Sequence, residues 1–119
     1  MLLVDDNVDA AQSLGALLRS AGYAVHEAQD GPQALAAVAA GFVPDVALLD
    51  IGLPGMNGYE LAAALRRDPR LSGMTLIALT GYGRAPDRER ALAAEFDDHL
   101  VKPVKFDTLL QALARHAAA

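Results

Sequence analysis

The strongest constraint on the fold is a regular alternation of short apolar runs with amphipathic stretches. Five apolar runs occur in the 119 residues, at Leu2–Val4, Ala24–Ala28, Val46–Asp50, Thr75–Leu79 and His99–Val101. Three of them are almost uninterrupted apolar residues, which is typical of strands covered on both faces. The run around His26 is more mixed and indicates an edge strand. Strict β-α alternation predicts an α/β fold with a parallel sheet and helices on both faces.

Helical patterns with recognisable ends separate the runs. The first helix is predicted over Ala11–Ala21, with Gly22 as its stop. Asp30-Gly31-Pro32 opens the second, because proline is tolerated in a first turn. Asn57 and Glu60 have the spacing of a capping box at the start of the third. The last two helices are predicted over residues 85–95 and 106–117, and Arg66 and Arg67 are expected on a solvated face.

The composition predicts a single domain over residues 1–119. Hydrophobic residues make up 53% of the chain, enough for a core, and the absence of cysteine excludes disulfides and thiolate sites. No apolar run approaches the roughly 20 residues needed to span a bilayer. Acidic residues from Asp5 onward come too early for a secretory signal peptide, so we expect a cytoplasmic protein. The net charge of −5 argues against direct nucleic-acid binding.

Polar side chains stand where four of the apolar runs end. Asp5 and Asp6 follow the first run, Asp50 ends the third, and Thr80 and Lys102 follow the last two. Ligands of such sheets bind beyond the carboxyl ends of the strands, near the switch in strand order. We therefore expect these five residues to form one site.

Three carboxylates on neighbouring strand ends repel one another unless a cation lies between them. A hard divalent cation such as Mg²⁺ binds carboxylate and carbonyl oxygens, so Asp5, Asp6, Asp50 and the Gly52 carbonyl are candidate metal ligands. The lysine and hydroxyl suit phosphoryl transfer, which depends on positioning and charge neutralisation. Asp50 stands alone and is the better nucleophile for forming an acyl phosphate.

These motifs resemble the receiver domain of two-component response regulators over essentially the whole chain. The matching segments are LLVDDN (2–7), DGPQAL (30–35), PDVALLDIGLPGMNGYEL (44–61), LIALTGYG (76–83) and HLVKPV (99–104). Each segment alone is weak, but their order and spacing together are highly specific. The match is most similar in character to receivers attached to hybrid sensor histidine kinases.

The resemblance implies a flavodoxin-like fold with sheet order 2-1-3-4-5. It implies that Asp5 and Asp6 are the metal acids, that Asp50 is the phosphoacceptor, and that Lys102 binds the phosphate and precedes a cis proline. It also makes Thr80 the switch hydroxyl. A kinase phosphohistidine or a small phosphodonor would phosphorylate Asp50 and shift a face built from the fourth helix, fifth strand and fifth helix. Such a domain is a self-dephosphorylating acceptor rather than a turnover enzyme.

The resemblance also bears on partners. We expect a sensor histidine kinase or phosphotransfer domain as partner, within a larger hybrid kinase or multidomain regulator, and the same shifting face could pair two copies. His99 departs from the family, which usually has Tyr or Phe there. This departure leaves open an alternative, an unphosphorylated pseudo-receiver that acts by docking. A haloacid-dehalogenase-like phosphatase would need an Asp at Gly52, and a flavin binder would need a phosphate-cradling loop in place of Asp5-Asp6-Asn7.

Overall fold

The five strands form one parallel sheet in the order β2-β1-β3-β4-β5. A computed structural model of the chain describes residues 1–53, 55–80 and 96–117. The strands are β1 Leu2–Val4, β2 His26–Ala28, β3 Val46–Asp50, β4 Thr75–Thr80 and β5 Asp98–Val101. The predicted flavodoxin-like arrangement is therefore confirmed, and β2 lies at an edge as its mixed sequence indicates.

Four α-helices occur in the described part of the chain. They are α1 Val8–Ser20, α2 Gly31–Ala39, α3 Gly58–Arg66 and the C-terminal helix Phe106–Ala117, with a short 3-10 turn at Pro69–Leu71. The helix predicted over residues 85–95 lies outside the described residues, and so does part of the face proposed to shift on activation. No helix among the described segments has the length and apolar character required to cross a bilayer.

Capping side chains set where the helices begin. Asn7 Oδ1 accepts a hydrogen bond from Ala10 N at 3.0 Å, so α1 begins at Val8, earlier than the apolar pattern predicts. Asp30 caps α2 in the same way. The capping box predicted at Asn57 and Glu60 is present with both of its hydrogen bonds.

Two hydrophobic cores lie on opposite faces of the sheet. One packs α2 and α3 against the strands, and its largest fully buried members include Leu2, Leu49, Leu61, Leu65, Leu71 and Leu76. The other packs α1 and the C-terminal helix, through residues such as Leu3, Leu18, Leu48, Ile77, Leu79 and Leu109. Burying each such side chain contributes roughly 1.5–3 kcal/mol. Because both faces are covered, the carboxyl edge of the sheet is where the strands can present polar groups.

Candidate functional site

Three carboxylates converge at the carboxyl ends of β1 and β3. These strands are neighbours, with Val4 opposite Leu49, so Asp5 and Asp6 come close to Asp50. One carboxylate oxygen from each of the three residues lies within 4.8 Å of the other two. Asp5 and Asp50 are buried, whereas Asp6 is exposed. The structure thus brings together the three acids that the sequence predicts.

Lys102 supplies the positive charge of this pocket. Its Nζ lies 3.2 Å from Asp5 Oδ2 and 2.9 Å from Asp50 Oδ2. Lys102 N donates to the Thr80 carbonyl at 2.8 Å, which holds the residue beside the end of β4. The peptide between Lys102 and Pro103 is cis, as the family resemblance implies.

Backbone amides orient the two buried carboxylates. Asn7 N donates to Asp5 Oδ1 at 3.0 Å, and Gly52 N donates to Asp50 Oδ1 at the same distance. In each residue the other oxygen, Oδ2, contacts Lys102. Gly52 therefore does contact the nucleophile candidate, through its N–H.

The charges in the pocket are only partly compensated. Burial is the largest influence on Asp5 and raises its pKa, and the Asp50 carboxylate adds to this increase, although the Asn7 N–H and Lys102 oppose it. Burial would lower the pKa of Lys102, but its hydrogen bonds and attraction to Asp50 and Asp5 outweigh burial and raise that pKa. Lys102 is therefore held in its charged form, whereas burial disfavours the ionised form of Asp5.

Thr80 is buried at the end of β4, one residue beyond the pair formed by Asp50 and Leu79. Its hydroxyl donates a long hydrogen bond of 3.4 Å to the Leu100 carbonyl on β5. At this length the bond is weak. The hydroxyl is thus held near the pocket by a partner that it can readily leave.

The donor set fits a hard divalent cation. All three converging ligands are carboxylates, which Mg²⁺ and Ca²⁺ prefer, and among the described residues no histidine or cysteine joins them in the cluster. Burial raises the pKa of Asp5, so a cation bound beside this carboxyl group would favour its ionised form.

A cleft of about 510 Å³ opens beside the pocket. Asp5 and Lys102 line it together with side chains of α1, among them the apolar Leu14 and Leu17. Leu17 is 47% exposed although it is a large apolar residue. The cleft therefore places exposed apolar side chains of α1 next to two residues of the acidic pocket.

A second charged cluster lies at the opposite end of β5, and the sequence analysis did not predict it. Asp98 Oδ2 accepts from Arg115 Nη2 at 2.8 Å and lies 3.3 Å from His116 Nε2, which ties the C-terminal helix to β5. The backbone N–H of His99 donates to Asp98 Oδ1 at 2.8 Å. His99 itself is half-buried in β5. No sequence motif identifies this cluster, because charged residues of these types are common on helix and strand surfaces.

The fold and this site define a doubly wound α/β protein with an acidic, lysine-containing pocket at the carboxyl edge of its sheet. Comparison with known families agrees with that class. Residues 1–114 match the response regulator receiver domain family, and the chain belongs to it. The resemblance drawn from the sequence motifs is thereby confirmed.

Similar proteins include response regulators that are longer than this chain. The chain is 39% identical over 105 residues to the DNA-binding response regulator MtrA of Mycolicibacterium paratuberculosis, and the match covers 88% of this chain and 45% of MtrA. It therefore spans less than half the length of that relative. Homologues include both response regulators and receivers of histidine kinases.

Two solved structures illustrate the likeness in fold. One is the receiver domain of sensor histidine kinase PA1611 from Pseudomonas aeruginosa PAO1, described with a magnesium ion coordinated in its active site cleft. It is 36% identical, with a TM-score of 0.88 and coverage of 99% of this chain and 96% of that one. The other is the chemotaxis response regulator CheY4 of Vibrio cholerae, at 33% identity, a TM-score of 0.88 and coverage of 97% and 95%.

Proposed function

We propose that this receiver domain takes a phosphoryl group onto the Asp50 carboxylate in a Mg²⁺-dependent reaction. The observation that carries the proposal is the position of Asp50. Its buried carboxylate ends β3, lies 2.9 Å from Lys102 Nζ and shares a cluster with Asp5 and Asp6. A carboxylate placed between a lysine and two further acids that can hold a metal ion suits phosphoryl transfer, which depends on positioning and charge neutralisation.

The reaction transfers one phosphoryl group from the imidazole of a donor histidine to the carboxylate of Asp50. An Asp50 oxygen attacks the phosphorus of a phosphohistidine, the O–P bond forms, the P–N bond breaks, and the imidazole leaves. The N–H of Gly52 holds Oδ1 of the acceptor, which fixes the carboxylate for attack. Asp50 is consumed in each transfer until hydrolysis restores it, so the domain is an acceptor rather than a turnover enzyme.

Asp5, Asp6 and Asp50 would hold the Mg²⁺ ion, together with the Gly52 carbonyl. When bound, the ion neutralises negative charge on the phosphoryl oxygens. Lys102 contributes a second positive charge from the protein itself, and its contact with Asp50 places that charge beside the acceptor. The two cations together offset the repulsion between an anionic donor and an acidic pocket.

Thr80 and Lys102 would report the phosphorylated state. The long bond from Thr80 to the Leu100 carbonyl costs little to break. The Thr80 hydroxyl can then donate to a phosphoryl oxygen instead, which changes the contact between β4 and β5. Such an exchange favours one of two pre-existing conformations and alters the face that includes β5 and the C-terminal helix.

The proposed phosphodonor is a sensor histidine kinase or a phosphotransfer domain. The cleft along α1 is lined by Asp5 and Lys102 as well as by apolar side chains, and it offers a surface on which a helical donor can pack with its histidine near Asp50. We further propose that the domain serves a larger hybrid kinase or multidomain regulator, since its relatives include both arrangements. A related proposal is that two copies pair through the face built from the fourth helix, β5 and the C-terminal helix.

Intact-mass spectrometry after incubation with acetyl phosphate tests the proposed function. With Mg²⁺, we expect one phosphoryl adduct on the wild type and none on Asp50→Asn, and EDTA should prevent the adduct. If a small donor and a phosphorylated phosphotransfer domain both leave the mass unchanged, the phosphoacceptor proposal is wrong. The pseudo-receiver alternative would then describe the protein better.

A further inference from the structure

The backbone of Asp50 is in unusually close contact with the first residue of α3. A Cβ atom placed on Gly58 would lie 2.7 Å from the Asp50 carbonyl oxygen, 2.7 Å from Ile51 Cα and 3.2 Å from the Asp50 carbonyl carbon. These are backbone atoms and cannot rotate away. Gly58 is buried, so an added side chain would have to fit within the packed interior.

Other described glycines with tight surroundings differ in what they approach. A Cβ on Gly31 would meet Met56 Sδ at 2.7 Å, and a Cβ on Gly15 would meet Glu27 Oε2 at 2.9 Å. Glu27 Oε2 is the far end of a flexible side chain, and although Met56 Cβ and Cγ would also lie 3.1 Å from the Gly31 Cβ, every one of these neighbours is a side-chain atom and none is backbone. Gly58 is therefore distinguished by what it touches rather than by the distance alone.

The peptide after Asp50 is held from two sides. Ile51 N donates to the Leu79 carbonyl of β4 at 3.1 Å, and Gly58 N donates to the Ile51 carbonyl at 3.1 Å. The capping box of Asn57 and Glu60 fixes the helix end that makes the second contact. The end of β3 is thus fixed between β4 and the first turn of α3.

We propose that Gly58 is a positioning residue for the phosphoacceptor. Because it has no side chain, α3 packs directly against the Asp50–Ile51 backbone and sets the distance of the Asp50 carboxylate from Lys102. This inference rests on the proposed function of Asp50. A methyl group at position 58 must move that backbone, and misplacing reacting groups by about 1 Å can lower a rate by about 100-fold.

The primary test compares Gly58→Ala with Gly31→Ala in otherwise identical protein. Without a clash, alanine at a helical position would favour folding, so loss of function in Gly58→Ala cannot be ascribed to helix propensity. We expect phosphorylation by acetyl phosphate to be about 10- to 100-fold slower in folded Gly58→Ala. Gly31→Ala should stay within about 2-fold of the wild type, because its neighbour Met56 is a flexible side chain.

A second readout needs neither metal nor phosphodonor. The Gly52 amide donates to Asp50 Oδ1, so its NMR signal in the metal-free protein reports the position of the acceptor. We expect this signal to move in Gly58→Ala and to stay in place in Gly31→Ala. If wild-type protein takes no phosphoryl group, the proposed function fails, whereas the shift of the Gly52 signal still tests the positioning role.

A further pair of variants covers the case in which Gly58→Ala does not fold. Asn57→Ala removes the cap of α3, and Asp30→Ala removes the equivalent cap of α2. At equal fractions of folded protein, we expect Asn57→Ala to slow phosphorylation several-fold more than Asp30→Ala. Equal phosphorylation rates in Asn57→Ala and Asp30→Ala would overturn the proposal. A folded Gly58→Ala protein with the wild-type phosphorylation rate and an unmoved Gly52 amide signal would also overturn it.

Discussion

Lys102 Nζ lies 2.9 Å from Asp50 Oδ2, and this ion pair joins the ends of β5 and β3, two strands that β4 separates in the sheet. Lys102 also contacts Asp5, at the end of β1. One side chain therefore links three strands at their carboxyl ends. Any change in the charge at Asp50 must alter this contact, which makes Lys102 the natural first target for mutation.

Replacing Lys102 with Met should affect both stability and function. The change leaves two buried carboxylates facing each other without their cation. Since the lysine side chain is a third exposed, we expect a loss of roughly 1–2 kcal/mol in the free energy of unfolding at neutral pH. Phosphorylation should slow by about 100-fold.

Lys105→Met is the matched control for this change, because Lys105 is exposed and close in sequence. For both variants, urea unfolding gives the free energy of unfolding, and intact-mass kinetics give the rate of phosphorylation. A Lys102→Met protein that behaves like Lys105→Met in both measurements would remove Lys102 from the proposed mechanism.

Replacing Asp5 with Asn should weaken Mg²⁺ binding without lowering the stability of the metal-free protein. Burial raises the folded-state pKa of Asp5, so the folded protein holds this proton more tightly than the unfolded chain. The free energy of unfolding therefore decreases as the pH rises through that pKa, because buried Asp5 then has to ionise. Asparagine does not ionise, so the variant avoids this decrease at neutral pH. We therefore expect a metal-free Tm at least as high as that of the wild type.

The same variant should respond little to Mg²⁺. At a concentration 100 times its Kd, a ligand stabilises the folded state by about 2.7 kcal/mol, and we expect the Tm of the wild type to rise accordingly. Asp5→Asn should lose most of this rise, whereas Asp45→Asn, which alters an exposed carboxylate, should keep it. An equal Mg²⁺-dependent rise in all three proteins would contradict the proposed metal site.

Thr80→Val tests the switch hydroxyl. The 3.4 Å bond to the Leu100 carbonyl is weak, so its loss should change the free energy of unfolding by no more than about 1 kcal/mol. The variant should still be phosphorylated. Amide NMR signals of β5 should respond to phosphorylation much less than in the wild type. If the full response persists in Thr80→Val, the hydroxyl does not transmit the signal.

Asp98→Asn should reveal a pH-dependent contribution to stability. Burial opposes ionisation of Asp98, but hydrogen bonds from the His99 N–H, His116 and Arg115 outweigh it and lower the pKa. The ionised group therefore stabilises the protein above its unfolded-state pKa of about 4, and this contribution is lost as the pH falls through the lower folded-state value.

We expect Asp98→Asn to cost about 1 kcal/mol at pH 7, since Arg115 is largely exposed. Urea titrations across the acidic range should show the difference from the wild type shrinking as the pH falls below about 4. A difference that stays constant across this range would show that the charge of Asp98 does not contribute.

The sequence predicts which residues meet at the carboxyl edge because backbone topology alone brings them together, whereas their roles in phosphoryl transfer stay predictions. Asp5, Asp50 and Thr80 stand at the ends of apolar runs, and a parallel sheet aligns those ends whatever the side chains do elsewhere. The strand order itself came from the family resemblance. The predicted start of α1 at Ala11 was three residues too late, because the helix begins at Val8 after the Asn7 cap and the apolar pattern begins further along the chain.

Contacts between surface side chains are less predictable. The sequence placed Arg66 on a solvated face, and this prediction was wrong. Its Nη1 donates to the Met74 carbonyl at 2.6 Å, its Nη2 contacts Asp97 at 2.9 Å, and its side chain is only 16% exposed. Likewise, nothing in the sequence pairs Asp98 with His116. Such pairs depend on rotamers and on packing between elements that are distant in sequence, which periodicity does not encode.

The central claim is that Asp50, among three clustered carboxylates, carries the phosphoryl group. The most direct measurement is reduction of the phosphorylated protein with borohydride, which converts an aspartyl phosphate to homoserine, followed by peptide mass spectrometry. We expect homoserine at position 50 alone, and only when Mg²⁺ was present during phosphorylation. Homoserine at Asp5 or Asp6, or an unmodified Asp50 in protein that carries a phosphoryl adduct, would contradict it.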